Sequence, residues 1–284
     1  MRPANIVTSV ADILAGIAIV SVPVSSIRAF SPVILLLCLS TACLYGGGIV
    51  FNDVFDVELD KIERPERAIP SGKVSLKEAF ILGTILLCAG VLSALFVSVV
   101  SGMIAAAIAL CALLYDKFGK HHPFFGPLNM GMCRGLNLLL GISIIPIALI
   151  NWFLLALVPV AYIFSITLTS RGEVHGGSKI SLYTAATLYA GVIGFISYFS
   201  YANNRLLWSL LFLIPFTWMI FRPLLKAIRE PIGKNIGKAV KAGVISLILM
   251  DASWSATFGS LTFAVLIACL LPLSIWFSKT FAVT

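Results

Sequence analysis

Long, uninterrupted apolar segments limit what this chain can fold into more than any other feature of its sequence. Most are about 16 to 22 residues long, the length that an α-helix needs to cross the hydrocarbon core of a bilayer. The segments do not alternate in polarity and are too long for the strands of a membrane barrel. We therefore predict about nine membrane-spanning helices, near residues 6–24, 33–52, 79–99, 102–115, 128–149, 152–169, 181–200, 206–221 and 257–277. The run 238–250 is either a short tenth span or the lead-in to the last one.

The composition supports an integral membrane protein. Hydrophobic residues make up 60% of the chain and charged residues 11%, and the mean hydropathy is +1.04, so a water-soluble fold would leave much apolar surface exposed. A length of 284 residues suits a single domain, 1–284, formed by one all-α bundle. The six cysteines lie inside apolar segments without metal-ligand spacing, which indicates packing residues.

The basic residues predict the orientation of the bundle. If the N-terminus is cytoplasmic, every Lys and Arg except Arg28 and Arg205 lies on the cytoplasmic side, as the positive-inside rule requires. The predicted location is a bacterial inner (plasma) membrane. Loop placement explains the net charge of +8, so nucleic acid is not needed as a partner. The segment 222–229 mixes basic and apolar residues, as does a segment that lies on anionic membrane lipid.

An acidic cluster follows the second apolar run. Six of the twelve acidic residues fall between Asp53 and Glu66. On an ideal helix Asn52, Asp56, Asp60 and Asp53 lie within about 100° of one another. Two carboxylates about 6 Å apart repel by roughly 3 kcal/mol at an effective dielectric near 20. A divalent cation would relieve this repulsion, and Mg²⁺ favours oxygen ligands shared with a substrate phosphate.

Basic residues follow this cluster in two loops. Arg64 and Arg67 are suited to bidentate capture of a diphosphate, although both could instead only set the membrane topology. Lys117 and Lys120 could add positive charge to the same anion site. The adjacent pair of histidines at 121 and 122 is typical of a hydrated loop. Asn129 and Arg134 continue into the fifth span, where polar groups usually face a cavity or a partner.

The loop between the sixth and seventh spans carries a further set of polar residues. Arg171, Glu173, His175 and Lys179 lie among three glycines, which permit a close backbone approach to an anion. Glu173 and His175 are candidates for metal binding or proton transfer. The loop could equally be a flexible connector.

Asp12 is the only acidic residue that we place well inside a predicted span. Its cost there is roughly 3 kcal/mol if it has no partner, so it either faces a central cavity with Asn5 or bonds to another helix. Because an Asp is unusual in the apolar part of a signal peptide, we interpret residues 1–25 as a retained first helix.

The acidic cluster closely resembles the first aspartate-rich motif of the UbiA superfamily of intramembrane prenyltransferases. The resemblance rests on the pattern Asn-Asp-x-x-Asp-x-x-x-Asp of residues 52–60 and on the sequence Arg-Ala-Ile-Pro-Ser-Gly of residues 67–72. It is supported by Arg-Pro-x-Asn at 2–5, by the Tyr and Lys loop that leads to Asn129, and by the loop between spans six and seven, and so covers most of the chain.

This resemblance implies about nine helices around a central cavity open to the cytoplasmic side. It also implies Mg²⁺-dependent transfer of a prenyl group from a polyprenyl diphosphate to an aromatic or other lipid-soluble acceptor. The catalytic residues would be Asp56, Asp60 and Glu173. The implied metal ligands are Asn52, Asp53, Asp56, Asp60 and Glu173. The implied substrate-binding residues are Arg64, Arg67, Lys117, Lys120, Asn129, Arg134, Arg171 and Lys179.

One departure from the family pattern leaves a second function open. The family's second motif usually has two aspartates four residues apart in the loop between spans six and seven, whereas residues 171–178 contain no Asp. Glu173 could replace one of them, and Gly177 stands at the place of the other. This loop is similar to that of the EboC-like branch. The alternative is therefore a non-catalytic UbiA-like protein that binds or moves an isoprenoid or a related lipid.

Overall fold

The structure, a computed structural model, describes residues 3–20, 27–120, 122–172 and 176–280. Within these ranges its regular secondary structure is helical, with no strand. The principal helices are α1 (Pro3–Ile19), α2 (Ile27–Phe55), α3 (Val57–Glu63), α4 (Leu76–Leu95), α5 (Val99–Leu114), α6 (Phe125–Ile142), α7 (Leu149–Trp152), α8 (Leu157–Ser170), α9 (Lys179–Ala202), α10 (Leu206–Arg229), α11 (Gly233–Thr257), α12 (Leu261–Ala268) and α13 (Leu270–Thr280). A π-helical turn, Tyr115–Gly119, extends α5. The predicted all-helical class is confirmed.

The helices have the length and polarity of a multi-pass membrane protein. Among the described residues, seven helical segments are long and apolar enough to cross a membrane, and α1 is a shorter apolar helix. The ambiguous run 238–250 lies inside α11, so it belongs to a separate helix of 25 residues. Segment 222–229 forms the last two turns of α10 rather than a separate segment on the membrane surface.

The first helix lies at the centre of the bundle. It packs against α2, α6, α11, α12 and α13, and nearly all of its residues are buried. Its crossing with α6 depends on two glycines. A Cβ atom on Gly16 would lie 2.5 Å from the Leu138 carbonyl oxygen, and one on Gly141 would lie 2.4 Å from that of Ile13. The two backbones are therefore in direct contact, as small residues permit between membrane helices.

Short connections return the chain repeatedly to one end of the bundle. Helices α4 and α5, α9 and α10, and α10 and α11 are each joined by three residues, which makes neighbouring helices antiparallel. The end that carries Asn52, Asp56 and Asp60 is called the motif side below. It also holds the loops that follow α5 and α8, because Lys120 pairs with Asp56 and Arg171 Nη2 donates a hydrogen bond to the His122 carbonyl oxygen.

Candidate active site at the motif side of the bundle

The aspartate motif is helical through the junction of α2 and α3. The amide of Asp56 donates to the Asn52 carbonyl oxygen at 3.0 Å, and the amide of Asp60 donates to that of Asp56 at 2.8 Å. These bonds span four residues each, so the three side chains follow one another along a single helix face. Asp53 adds a fourth side chain close to that face. We call Asn52, Asp53, Asp56 and Asp60 the acidic face.

Two predicted basic residues lie directly on the acidic face. Arg67 Nη1 lies 2.6 Å from Asp60 Oδ2 and 3.3 Å from Asp53 Oδ1. Lys120 Nζ forms an ion pair with Asp56 Oδ2. Asp60 is the most buried of these carboxylates, with 5% of its side chain exposed, and Arg67 is 20% exposed. Partial burial strengthens such pairs relative to ion pairs in water.

The first residue of the acidic face contacts the π-helical turn. The Asn52 side-chain nitrogen donates a hydrogen bond of 2.8 Å to Asp116 Oδ1. This bond uses the amide nitrogen and leaves the amide oxygen as the atom with ligand character. It also fixes the turn that carries Lys120 against the end of α2. The turn and the motif are 64 residues apart in sequence, and this bond and the Lys120–Asp56 pair join them.

The other predicted substrate-binding residues lie in different surroundings. Arg64 is exposed, and Lys117 Nζ lies 5.1 Å from the centre of the Phe118 ring. Arg171 is exposed and bonded to the loop at His122, and Lys179 is exposed at the start of α9. Their roles in binding remain predictions. Glu173, which was predicted as a catalytic residue and metal ligand, and His175 lie outside the described residues.

Asn129 lines a cavity of about 420 Å³ at the motif side. The walls come from α5, the π-helical turn and α6, and include Phe118, Gly119 and Phe125. The side-chain oxygen of Asn129 is buried and has no hydrogen-bond partner among the described residues. A buried amide oxygen without a partner is costly, so a water molecule or a ligand group that donates a hydrogen bond would suit this position.

Arg134 lies deeper in the bundle than the acidic face. Its guanidinium lies 3.1 Å from Asp12 Oδ2, donates a hydrogen bond to Thr8 Oγ1 and lies 5.8 Å from the centre of the Tyr45 ring. Tyr45 precedes Asn52 by seven residues on α2, or about 10 Å along the helix. Arg134 was predicted to bind substrate; in this structure it pairs with Asp12, and its role in binding stays a prediction.

Asp12 therefore has partners on other helices. Asn137 of α6 donates a hydrogen bond of 2.9 Å to Asp12 Oδ2, and Thr41 of α2 donates one of 2.7 Å to Asn137 Oδ1. Asp251 of α11 lies beside Asp12 and is equally buried. We call Asp12, Arg134, Asn137 and Asp251 the deep polar cluster.

Asp251 was missed in the sequence. Asp12 is not the only acidic residue deep inside the bundle, because Asp251 lies in α11 and is only 1% exposed. The run predicted as an ambiguous span ended one residue before it. A signal was present, since an isolated Asp flanked by Ile, Leu, Met, Ala and Trp is rarely unpaired at that depth.

The described residues contain no group of three His, Cys, Asp or Glu side chains arranged to hold a metal ion. In place of such a group, Arg67 and Lys120 neutralise the carboxylates of the acidic face. The donor set nevertheless suits Mg²⁺, which takes oxygen ligands and often binds through one or two carboxylates with a substrate phosphate. Asp56 and Asp60 supply two carboxylates on one face.

Comparison with known proteins agrees with this fold. Residues 10–222 match the UbiA prenyltransferase family. A solved structure described as digeranylgeranylglyceryl phosphate synthase in membranes has a TM-score of 0.63, with 22% sequence identity over 92% of this chain and 94% of that one. A UbiA homolog from Aeropyrum pernix K1 has a TM-score of 0.56, with 13% identity over 98% of this chain and 99% of that one. At these identities the likeness concerns the fold.

Curated relatives match over shorter segments. Digeranylgeranylglyceryl phosphate synthase of Methanosarcina mazei is 42% identical over 35% of this chain and 34% of the relative. The protein of the same name from Saccharolobus solfataricus is 35% identical over 54% of this chain and 56% of the relative. The chain thus spans between about a third and just over half of the length of these two relatives.

Proposed function

Because this chain belongs to the UbiA prenyltransferase family, we propose that it transfers a prenyl group from a polyprenyl diphosphate to a lipid-soluble acceptor within the membrane. The observation that carries the proposal is the contact of Arg67 and Lys120 with the acidic face. Carboxylates and cations of this kind are the groups that a diphosphate leaving group needs, since its negative charge must be neutralised as the carbon–oxygen bond breaks.

The acidic face would exchange partners when the substrate binds. Arg67 and Lys120 now pair with Asp60 and Asp56. In the proposed complex the two cations turn to the diphosphate oxygens, and the freed carboxylates hold the metal ion. Arg67 suits this role because its guanidinium can bind two phosphate oxygens at once.

Prenyltransferases of this type are generally Mg²⁺-dependent, and we propose Mg²⁺ as the cofactor here. Asn52, Asp56 and Asp60 would hold it, with Asp53 at the edge of the site. When bound, the ion would neutralise charge on the leaving diphosphate. Asn52 would use its amide oxygen, because its amide nitrogen is bonded to Asp116. Glu173 remains a proposed additional ligand.

The acceptor is proposed as a lipid, and its class is suggested by the relatives. Their name describes a glyceryl phosphate that carries two geranylgeranyl groups. We propose a geranylgeranyl or similar chain as the donor and a single-chain lipid phosphate as one acceptor to test beside aromatic acceptors. The motif side would face the cytoplasm, because that orientation places nearly all basic residues there.

The experiment is turnover by purified protein in detergent with radiolabelled farnesyl or geranylgeranyl diphosphate, Mg²⁺ and a panel of lipid extracts. Asp56→Ala should abolish prenyl transfer and diphosphate release while the protein remains folded. Glu58→Ala is the matched control, because Glu58 lies two residues after Asp56 but is exposed and forms an ion pair with Lys61 outside the acidic face. Equal activity of Asp56→Ala and the wild type would contradict the proposed site.

A non-catalytic lipid-binding protein is the second candidate, favoured by the absence of Asp from residues 171–178. In that case the wild type would bind prenyl diphosphate in a Mg²⁺-dependent manner and release no diphosphate with any acceptor in the panel. Glu173→Ala tests the role of this loop in either case. It should lower turnover if Glu173 completes the site, and leave binding and turnover unchanged if the loop is only a connector.

A further inference from the structure

A groove lies between α9 and α10, away from the acidic face. Its volume is about 910 Å³. Helix α10 supplies most of its wall, from Leu210 to Arg229, and Glu230 follows directly, whereas α9 contributes only Ile193 and Ser197. The wall residues of α10 recur at intervals of three and four, so they form one continuous face of that helix. Several are exposed, among them Ile214 at 63% and Trp218 at 61%. The groove therefore opens toward the surrounding membrane.

The groove changes in polarity along its length. From Leu210 to Phe221 its wall is almost wholly apolar, with Thr217 as the polar exception on α10. This part is about 17 Å long at 1.5 Å per residue. Half of a typical hydrocarbon core is about 15 Å. The apolar part thus matches the depth of a single leaflet.

The end of the groove is basic. Arg222, Lys226 and Arg229 follow one another at intervals of four and three residues, and all three are exposed. In the described part of the chain, none of the three forms an ion pair with a carboxylate. The Arg222 guanidinium lies 5.0 Å from the centre of the Trp218 ring, which holds it beside the groove.

Glu230, the one acidic residue among the described residues that line the groove, is hydrogen-bonded to α11. Asn235, in the first turn of α11, donates hydrogen bonds to the carbonyl oxygen of Glu230 at 3.1 Å and to its carboxylate at 3.3 Å. The basic end lies at the motif side, because the Gly177 amide donates a hydrogen bond of 3.2 Å to the carbonyl oxygen of neighbouring Pro231. Gly177 belongs to the loop that begins at Arg171.

We propose that this groove binds one anionic phospholipid of the leaflet at the motif side. An acyl chain lies along the apolar part, and the headgroup phosphate binds Arg222, Lys226 and Arg229. Two features together specify this ligand: the three cations match the charge of the headgroup phosphate, and the apolar wall is as long as one leaflet is deep. Neither a free phosphate, which would leave the apolar wall uncovered, nor a zwitterionic lipid, which lacks the net charge, meets both conditions. The inference is independent of prenyl transfer, since the groove contains none of the proposed catalytic residues.

The test measures lipid binding without turnover. Delipidated wild-type protein in detergent is mixed with phosphatidylglycerol or phosphatidylcholine of identical acyl chains, and the bound lipid is counted by native mass spectrometry. Phosphatidylglycerol should bind at least about tenfold more tightly, because each basic residue near the headgroups favours anionic lipid. The triple variant Arg222→Gln, Lys226→Gln and Arg229→Gln should lose this preference.

The matched control removes the same charge elsewhere on the motif side. Lys73→Gln, Lys77→Gln and Lys234→Gln replace three exposed lysines outside the groove and should keep the preference. Thr217→Trp, which fills the apolar part, should weaken the binding of phosphatidylglycerol while leaving the three cations in place. The proposal is overturned if the two triple variants behave alike, or if the two lipids bind equally. It is also overturned if inorganic phosphate or geranylgeranyl phosphate displaces phosphatidylglycerol at equal concentration.

Discussion

At the scale of single residues, opposite charges meet in two different environments. Arg67 pairs with Asp60 at the motif side of the bundle, where 20% of the Arg67 side chain is exposed. Arg134 pairs with Asp12 at 8% and 1% side-chain exposure, where no water can replace a lost partner. The first pair is suited to exchange on substrate binding, and the second is suited to hold helices together.

Removal of Arg134 should therefore affect stability more than removal of its partner's charge. Arg134→Met leaves Asp12 and Asp251 buried without a cation, and breaking a buried pair from one side costs about 3 to 5 kcal/mol. Asp12→Asn keeps the shape and much of the hydrogen bonding and should cost less. Thermal unfolding in detergent measures both. If Arg134→Met unfolds at the wild-type temperature, the pair does not stabilise the bundle.

Arg67 should affect substrate binding more than stability. Arg67→Gln keeps a hydrogen-bond donor for Asp60 and is partly exposed, so the unfolding temperature should fall less than in Arg134→Met, while prenyl diphosphate binding should weaken by about tenfold or more through the loss of a charge-assisted contact. Arg67→Lys should recover part of the binding, because it restores the charge without the bidentate geometry. Titration with a non-hydrolysable diphosphate analogue gives the affinities. Unchanged affinity in Arg67→Gln would exclude Arg67 from the phosphate site.

At the scale of helices, glycine positions decide how closely neighbours approach. Gly16 and Gly141 place the backbones of α1 and α6 in contact, whereas a Cβ atom on Gly191 or Gly194 of α9 would meet nothing within 4 Å. The same residue type thus has a packing role in one pair of helices and none in another helix. The difference depends on tertiary contacts.

Gly141→Leu should separate α1 from α6. Its new Cβ would lie far inside contact distance of the Ile13 backbone, and overpacking of this kind typically costs about 1 to 3 kcal/mol or more. Gly194→Leu is the control and should be nearly neutral. Protein yield and unfolding temperature in detergent compare the two. Equal behaviour of both variants would mean that the contact between α1 and α6 tolerates side chains.

The helices and the motif could be predicted because both depend on neighbouring residues. Continuous apolar runs specify α2, α4 and α9, and spacings of four specify the acidic face. Helix α11 was ambiguous because Lys238, Lys241 and Asp251 interrupt its apolar pattern, and its burial depends on α1 and α10. The pairing of cations with carboxylates could not be predicted from the sequence either. Lys120 and Asp56 are 64 residues apart, and only the fold brings them together.

At the scale of the whole molecule, the two ends of the bundle differ in chemical content. The motif side holds the acidic face, the cations that contact it and the basic end of the groove. On the opposite side, the described residues include short turns, such as the one at Asn203 and Asn204 between α9 and α10. The groups that we propose to act on charged substrates thus lie at one end of the bundle.

Cysteine labelling should reveal which side that is. In a cysteine-free background, Lys73→Cys should be shielded from a membrane-impermeant maleimide in intact cells and should react in inverted vesicles. Asn204→Cys should show the reverse pattern, because it lies in the short turn on the opposite side. If Lys73→Cys reacts in intact cells, the motif side faces outward and the orientation predicted from the basic residues is wrong.

The central position of α1 has a consequence for how the chain is made. During synthesis, α1 leaves the ribosome before α11, α12 and α13, the three helices that cover much of it. Until α11 is inserted, Asp12 lacks Asp251 as a neighbour, and lipid or the insertion machinery covers the surface of α1. The core is therefore completed late in biogenesis. In a nascent chain arrested before α11, the face of α1 that these helices cover would stay accessible to quality-control proteases.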